Sequence, residues 1–292
     1  MALWTDGSAA PGRAVEGQLA ESPQPAMIDS YAAEAAIRAG LMVEYATVAA
    51  LRNEYVRPVA AVPAADVVAI ATAIPSSLNA IEYTTTAAGN LDGAVGILRI
   101  PGPAQRISFN FDASADWDSV SGELVCTAYG ENAAGEAIHE DVVRNNAGAV
   151  AVQVLTGQCF SRVSAVHVGA GIGAGGLLTV GTSPTRLEHG SRTSPGFALY
   201  TEAIEPSATA TVTFDAHDAL RVLRSGRFWA VSQGGNAIGD PVFIRNTINL
   251  AHVRGELYGI QLITAGSELS RYLGATWITA AAAGGLAIVE VV

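Results

Sequence analysis

Short runs of apolar residues, many of them alternating with polar residues, recur along most of the chain. Between residues 76 and 188 these runs are separated by turn residues at roughly ten-residue spacing, and residues 106–111 (RISFNF) alternate position by position. A period of two is the pattern of strands that bury one face and expose the other. The pattern therefore predicts an antiparallel β-sandwich over residues 76–188.

The same kind of strand occurs on both sides of this segment. Short apolar runs between glycine-rich turns dominate residues 189–292, and two more strands are predicted at 41–48 and 67–73. We therefore expect an all-β protein. Residues 28–75 and 189–292 would form one β-barrel-like core domain built from both ends of the chain, with the sandwich inserted between them.

The first residues have a different composition. Residues 1–27 are rich in Gly, Pro, Ser and Ala, which predicts an extended N-terminal arm that becomes ordered on a partner surface. One short helix is predicted after the arm. Asp29 or Ser30 can cap it, residues 31–39 can propagate it, and Gly40 can end it.

Composition narrows the possible partners. The net charge is −11, which argues against direct binding of nucleic acid, because phosphate contacts need clustered positive charge. No run of 18 apolar residues predicts a membrane span and no secretion signal is apparent, so we expect a soluble protein made in a cytoplasm. The two cysteines, Cys126 and Cys159, lie in apolar strand-like runs and are predicted to be buried free thiols.

A glycine-rich segment has the spacing of a dinucleotide-binding loop. Gly171, Gly173 and Gly176 follow a predicted strand, but that motif works only when a helix begins after it and holds the pyrophosphate. Residues 177–184 (LLTVGTSP) predict a strand and a turn instead. A flexible hairpin loop is favoured, and an oxidoreductase that binds a nicotinamide dinucleotide is the less favoured hypothesis.

Three acidic residues surround a tryptophan in the segment FDASADWDSV. Asp112, Asp116 and Asp118 flank Trp117 at short spacing, which makes these four residues a candidate exposed patch for an ion or a sugar. The segment lacks the glycine and the later glutamate of an EF-hand loop.

No other cluster suggests chemistry. His217 lies between Asp215 and Asp218, and a solvated turn is favoured over a metal site because no second cluster would complete the ligand shell. Neither cysteine lies in a sequence motif of a catalytic nucleophile, and the chain has no Gly-x-Ser-x-Gly motif of a serine nucleophile. We therefore expect no catalytic residue, no cofactor and no metal.

Both ends of the chain resemble a known family, the structural cement or capsid decoration proteins of tailed bacteriophages. The similarity lies in residues 17–22, in residues 28–43 (IDSYAAEAAIRAGLMV), and in a strand at 222–231 (VLRSGRFWAV). It continues with Gly-Asp-Pro-Val-Phe-Ile-Arg at 239–245 and with the apolar strand at 285–292. The segment 76–188 departs from the family pattern.

The resemblance implies a virion protein on the capsid exterior, not an enzyme, that binds the major capsid protein and stabilises the assembled shell. It also implies self-association, with a homotrimer expected. The candidate contact residues are in the arm and in the Arg-rich strand: Trp4, Arg13, Leu19, Arg224, Arg227, Phe228 and Trp229. Strand alternation predicts that either Phe228 or Trp229 fills the core instead.

The main alternative is a β-sandwich adhesin or glycan-binding appendage of a virion or cell surface. The acidic residues around Trp117 are the observation that favours it.

Overall fold

The structure of the protein, a computed structural model, describes residues 16–46, 54–59, 69–84, 98–100, 102–200, 212–248, 252–259 and 269–292. The described residues form twenty β-strands and one turn of 3-10 helix at Ala115–Trp117. The all-β fold class predicted from the sequence is therefore confirmed. Within the described ranges, no helix is long and apolar enough to cross a membrane.

The strands, numbered in chain order, are β1 Met27–Ala33, β2 Ile37–Arg38, β3 Met42–Tyr45, β4 Tyr55–Pro58, β5 Ala69–Pro75, β6 Ile81–Thr84, β7 Leu98–Arg99, β8 Ala104–Phe111, β9 Glu123–Glu131, β10 Ala137–Asn145, β11 Val152–Phe160, β12 Arg162–Val168, β13 Leu177–His189, β14 Gly196–Leu199, β15 Thr213–Phe214, β16 Ala219–Ser232, β17 Pro241–Arg245, β18 Leu257–Tyr258, β19 Leu269–Trp277 and β20 Gly285–Val291. Most are short, and only β13 and β16 in this set exceed nine residues.

The chain folds into two compact units. The first consists of Met1–Ala60, Ser194–Gln261 and Gly274–Val292, and the second of Ala61–Thr193 and Leu262–Leu273. The sequence patterns predicted boundaries at 75/76 and 188/189, and the units divide at 60/61, 193/194, 261/262 and 273/274.

Strand β16 organises the first unit. Its first half pairs antiparallel with β1 and β14, and its second half pairs antiparallel with β20. Gly226 lies where the pairing changes. Its φ is +120°, and a Cβ at this position would lie 3.0 Å from the Cβ of Ala26. A glycine is therefore required here both by the backbone conformation and by the lack of space.

The helix predicted for residues 31–39 is wrong. Residues 27–33 are strand β1, whose backbone pairs with β16 from Asp29–Val222 to Ala32–Ala219. The alanines that suggested a helix tolerate either conformation, and the long partner strand supplies the hydrogen bonds that decide between them. Tertiary pairing has overridden local helix propensity.

The second unit contains the predicted antiparallel sandwich. One sheet has the order β10-β9-β12-β6, with β7 also on β12, and the other contains β11, β8, β13 and β5 in antiparallel pairs. A single core cluster fills the space between them, with Phe109 and Val180 from one sheet and Leu124 and Val166 from the other. Alternation along each strand places these residues inward.

Candidate functional site

Residues 17–20 extend the sheet of the first unit along one edge of β16. Three backbone hydrogen bonds of 2.7, 2.8 and 2.9 Å join this segment to residues 227–229. Leu19 is paired with Phe228, and its side chain is 39% exposed. The segment is therefore held by the chain's own sheet.

The two other candidate residues of the arm, Trp4 and Arg13, lie outside the described residues. The arm prediction now depends on residues 1–15, because residues 16–27 have their own contacts in the first unit.

Strand alternation separates the two aromatic candidates of β16. Phe228 is fully buried, and its ring packs on that of Phe197 with centroids 4.9 Å apart. Trp229 points to the other face of the sheet and is half-buried. Phe228 is thus a core residue that cannot itself contact a partner, whereas Trp229 is accessible.

Trp229 belongs to a half-buried face of the sheet that the sequence analysis did not assemble. In the register of β16 with β20, Trp229 lies opposite Ile288 and Val231 lies opposite Leu286. We call this surface the Trp229 face, and it consists of Arg227, Trp229, Val231, Leu286, Ile288 and Glu290. The face combines aromatic and aliphatic surface with one ion pair at its margin.

Two of the three arginines of β16, Arg224 and Arg227, form ion pairs. The Nε of Arg227 donates to Oε1 of Glu290 at 2.8 Å, and the Nη1 of Arg224 donates to Oδ2 of Asp29 at 3.1 Å. The second pair is 41% and 42% exposed, and such surface pairs contribute little to stability. Both arginines could therefore exchange their partner for an acidic group of another protein at small cost.

A partly buried charge network anchors the start of the described chain. The carboxylate of Glu16 lies 3.4 Å from Nε of Arg38, which also reaches Glu256 at 3.5 Å, and Glu256 lies 3.0 Å from Nδ1 of His252. Burial raises the pKa of Glu16 to about 7, although Arg38 lowers it. Gly40 leaves the space that the Glu16 side chain occupies. This network fixes the segment that leads into residues 17–20.

The proposed exposed ligand patch is exposed only in part, because its three aspartates are half-buried and its tryptophan is buried. Trp117 is completely buried, its Nε1 donates to Oδ1 of Asp112 at 2.9 Å, and its ring meets Phe111 edge-on at 5.1 Å. Its ring therefore cannot stack on a sugar, and this prediction is corrected. The physical reason is that the tryptophan completes the core at the end of the sandwich.

The glycine-rich loop packs directly over these residues and is not free. The Oδ2 of Asp116 accepts from Gly175 N at 2.7 Å, and its carbonyl accepts from Ile172 N at 3.0 Å. A Cβ at Gly173 would overlap the Asp116 carboxylate, and one at Gly176 would overlap the Trp117 indole. The prediction of a flexible loop is therefore wrong, because the glycines permit close packing on the turn below. Strand β13 follows, not a helix, so the pyrophosphate site has no basis.

A buried arginine that the sequence analysis missed completes this region. The Nη1 of Arg144 donates to the carbonyl of Trp117 at 2.9 Å and to Oδ1 of Asp118 at 3.0 Å. Hydrogen bonds from the backbone N–H of Ala147, then from Arg144, lower the pKa of Asp118. Asp118 is thus a structural acceptor.

The turn around His217 and the two cysteines are the remaining places where the sequence suggested a metal site or a reactive group. His217 has φ of 74° in a turn closed by the bond from Asp215 N to Asp218 Oδ2 at 2.7 Å. Within the part of the chain that the structure describes, no three His, Cys, Asp or Glu residues are placed to hold a metal. Cys126 and Cys159 are buried free thiols, as predicted, and burial raises the pKa of each.

The Gly-Asp-Pro-Val-Phe-Ile-Arg segment is also a folding element. Arg245 is buried, its Nε donates to the hydroxyl of Tyr258 at 3.0 Å, and its guanidinium lies 5.1 Å from the centre of that ring. Trp277 Nε1 donates to the Tyr258 carbonyl at 3.2 Å. The segment therefore fixes the core of the first unit.

Comparison with known families gives one finding. The family model described as "Structural cement protein (E217 gp24/Pam3 gp6)", a phage family, matches residues 121–292. The match includes residues 121–188, which the sequence analysis treated as a departure from the family, and does not include the opening segments on which the resemblance also rested. No curated protein matches the chain.

Proposed function

Because the chain belongs to the phage structural cement protein family, we propose that it binds the exterior of an assembled capsid and stabilises the shell. It is a structural, virion-associated protein and not an enzyme. The major capsid protein is the proposed partner. Family membership is the observation that supports this function most directly.

The Trp229 face is the surface that we propose for contact with the shell. Its six residues are half-buried, so they offer aromatic and aliphatic area on a rigid sheet without being part of the core. Tryptophan and arginine are the residues most often found as energetic anchors of protein interfaces. Arg224 and, in the arm, Trp4 and Arg13 are further contact candidates, whereas Leu19 lies opposite Phe228 and therefore on the other face of the sheet.

The stabilising mechanism is mass action. A protein that binds the expanded shell but not its disassembled subunits favours the shell by RT ln(1 + [L]/Kd) for each site. A closed shell offers many equivalent sites, and a homotrimer would engage several at once, which raises the avidity without new contacts. The number of copies of this chain relative to the major shell protein can be measured in purified particles. A ratio of the order of one or of one third would indicate the symmetry with which the protein binds the shell.

The experiment uses purified shells that lack this protein. Wild-type and Trp229→Ala proteins are titrated onto the shells, and the bound fraction is measured after gradient sedimentation. An anchor residue contributes at least about 2 kcal/mol, so Trp229→Ala should weaken binding by about 30-fold or more. Binding should also raise the temperature at which the shells disassemble.

Two controls separate contact from folding. Tyr129→Ala removes an aromatic side chain that is 40% exposed in the second unit and should bind shells normally. Thermal unfolding of free Trp229→Ala shows whether the first unit is intact. Unchanged shell binding by a folded Trp229→Ala protein would exclude the Trp229 face, and no binding by the wild type would exclude the proposed function.

A further inference from the structure

One sheet of the second unit carries a pair of stacked rings on its outer face. Tyr129 of β9 lies directly opposite His139 of β10, and the two ring centroids are 5.8 Å apart with the ring planes at 20° to each other. The Tyr129 side chain is 40% exposed, and His139 is exposed as well. Such a cross-strand pair holds the tyrosine ring in one orientation on the sheet surface.

Alternation along β9 shows that this face points away from the core of the sandwich. Cys126 and Ala128 belong to the core cluster between the two sheets. Thr127 and Tyr129 alternate with them along the same strand and therefore point to the other side of the sheet. The stacked rings thus belong to the surface of the second unit.

The neighbouring strand β12 leaves one side of the tyrosine ring uncrowded. Ala165 of β12 lies opposite Tyr129, on the side of β9 away from His139. Ala165 has only a methyl group, so β12 places no bulky side chain against this side of the ring. The imidazole supports the ring on one side, and the alanine leaves its other side open toward β12.

Hydrogen-bonding groups form the next row of the same face. Thr127 lies between Asp141 of β10 and His167 of β12, and its hydroxyl donates to Oδ1 of Asp141 at 2.6 Å. Glu82 of β6 lies opposite His167, and the side chains of Glu82 and Asp141 are exposed. We call the two rows the Tyr129 patch, with Glu82 at its margin: Thr127, Tyr129, His139, Asp141, Ala165 and His167.

The two rows of the patch match the two chemical faces of a sugar. The apolar side of a sugar ring presents C–H bonds, which contact the electron-rich face of an aromatic ring. The hydroxyl groups of a sugar donate to carboxylates, which only accept, and they can donate to or accept from an imidazole. Hydrogen bonds from hydroxyls to a charged carboxylate are shorter and stronger than bonds between neutral groups. An aromatic ring beside a row of carboxylates and imidazoles therefore suits a polyhydroxylated ring.

The charges around the patch disfavour an anionic ligand. Glu131, two residues after Tyr129 on the same strand, lies 3.4 Å from Arg162 and 3.3 Å from Arg192. The arginines that border the patch are thus already paired with a carboxylate. A phosphate or a uronic acid would instead meet the exposed carboxylates of Asp141 and Glu82, and the net charge of −11 opposes it further.

The same carboxylates disfavour a protein partner, because charged residues are depleted at the centre of protein interfaces. We propose that the Tyr129 patch binds a neutral oligosaccharide, with one sugar ring stacked on Tyr129 and its hydroxyls bonded to Asp141 and His167. From β6 to β10 the patch crosses four neighbouring strands, or roughly 14 Å. This width suits a short oligosaccharide.

Sugar binding at this patch is separate from shell binding. Tyr129 belongs to the second unit, whereas the Trp229 face belongs to the first. A shallow site with one aromatic ring binds a single oligosaccharide weakly. If copies of the protein coat a shell, as proposed above, many patches would bind a glycan-covered surface together and raise the avidity.

The test measures binding of the full-length protein to immobilised oligosaccharides. The neutral probes are chitohexaose, maltohexaose and mannohexaose, and oligogalacturonate is the acidic probe. The wild type should bind at least one neutral probe and not the acidic one. Calorimetric titration with that neutral probe then gives the Kd of the wild type and of each variant.

Four variants assign the binding to the patch. Tyr129→Ala should weaken it at least about 10-fold, because the contact area of the ring face is lost, whereas Tyr129→Phe keeps the ring and should bind like the wild type. Asp141→Asn keeps the shape of the side chain but removes the charged acceptor, and it should also weaken binding. Trp229→Ala is the matched aromatic control in the first unit and should bind the sugar normally.

The inference is overturned by a wild type that binds no neutral probe or that prefers the acidic one. Equal sugar affinity of the wild type and a folded Tyr129→Ala protein would also overturn it. Loss of shell binding by Tyr129→Ala, with no sugar bound by the wild type, would make the shell protein the partner of the patch. A wild type that binds sugar but not shells would contradict the proposed function alone.

Discussion

Glu16 gives the first unit a pH dependence that one substitution should remove. In the folded protein its carboxyl is largely buried near Arg38 and Glu256, and burial raises its pKa from 4.5 to about 7. Glu16→Gln keeps the shape and an oxygen acceptor for Arg38 but cannot ionise. We expect the variant to lose the part of the pH dependence that comes from this carboxyl.

The size and the sign of the effect follow from the two pKa values. Between pH 4.5 and about 7 the folded state holds a proton on Glu16 that the unfolded state has released. The folded state binds more protons in this window, so the contribution of Glu16 to wild-type stability falls as the pH rises through it and is constant above about pH 7. At 1.36 kcal/mol for each unit of pKa, the loss is at most about 3 kcal/mol.

The assay is urea unfolding followed by tryptophan fluorescence at several pH values from 4.5 to 8. At pH 4.5 the free energies of unfolding of the wild type and Glu16→Gln should be similar. By pH 7.5 the free energy of unfolding of the variant should exceed that of the wild type by up to about 3 kcal/mol. Repeating the pair in a His252→Gln background removes the imidazole that contacts Glu256 and controls for its contribution. A difference between wild type and Glu16→Gln that stays flat across the pH range would refute the buried position of Glu16.

Three further substitutions or treatments test the packing. Phe228→Ala should lower the free energy of unfolding by about 3–5 kcal/mol, and a loss below about 1 kcal/mol in urea denaturation would contradict its place in the core. Gly173→Ala should cost about 1–3 kcal/mol, because its Cβ would overlap the Asp116 carboxylate, and normal thermal stability would show that the loop is not packed there. Cys126 and Cys159 should not react with a disulfide reagent at pH 8 until the protein is denatured, because burial raises the pKa of Cys126 to about 12; rapid reaction of the native protein would contradict their burial.

The parts of the fold that could be predicted depend on neighbours in sequence. Alternation along residues 227–231 correctly implied that only one of Phe228 and Trp229 fills the core, because adjacent residues of a strand face opposite ways. The sandwich could likewise be predicted from the spacing of its strands. The helix at residues 31–39 could not be excluded locally, since the deciding partner, β16, lies almost 200 positions away.

The sites that could not be predicted depend on residues brought together by the fold. Trp117 looked like an exposed ligand residue because the sequence does not show that residues 169–176 cover it. The Trp229 face could not be predicted without the register between β16 and β20, which places Ile288 opposite Trp229. The charge network around Glu16 draws on three separate segments, and only the raised pKa and the geometry together reveal it.

The short extension at residues 17–20 has a consequence for how the protein is made. This segment leaves the ribosome early but pairs with residues 227–229, so at 5–20 residues per second it waits roughly 10–40 s for its partner strand. The Trp229 face waits longer, because β20 at Gly285–Val291 must also be synthesised before Ile288 can lie beside Trp229. A chain still being translated therefore has no completed Trp229 face, and if this face contacts the shell, only finished molecules can coat it.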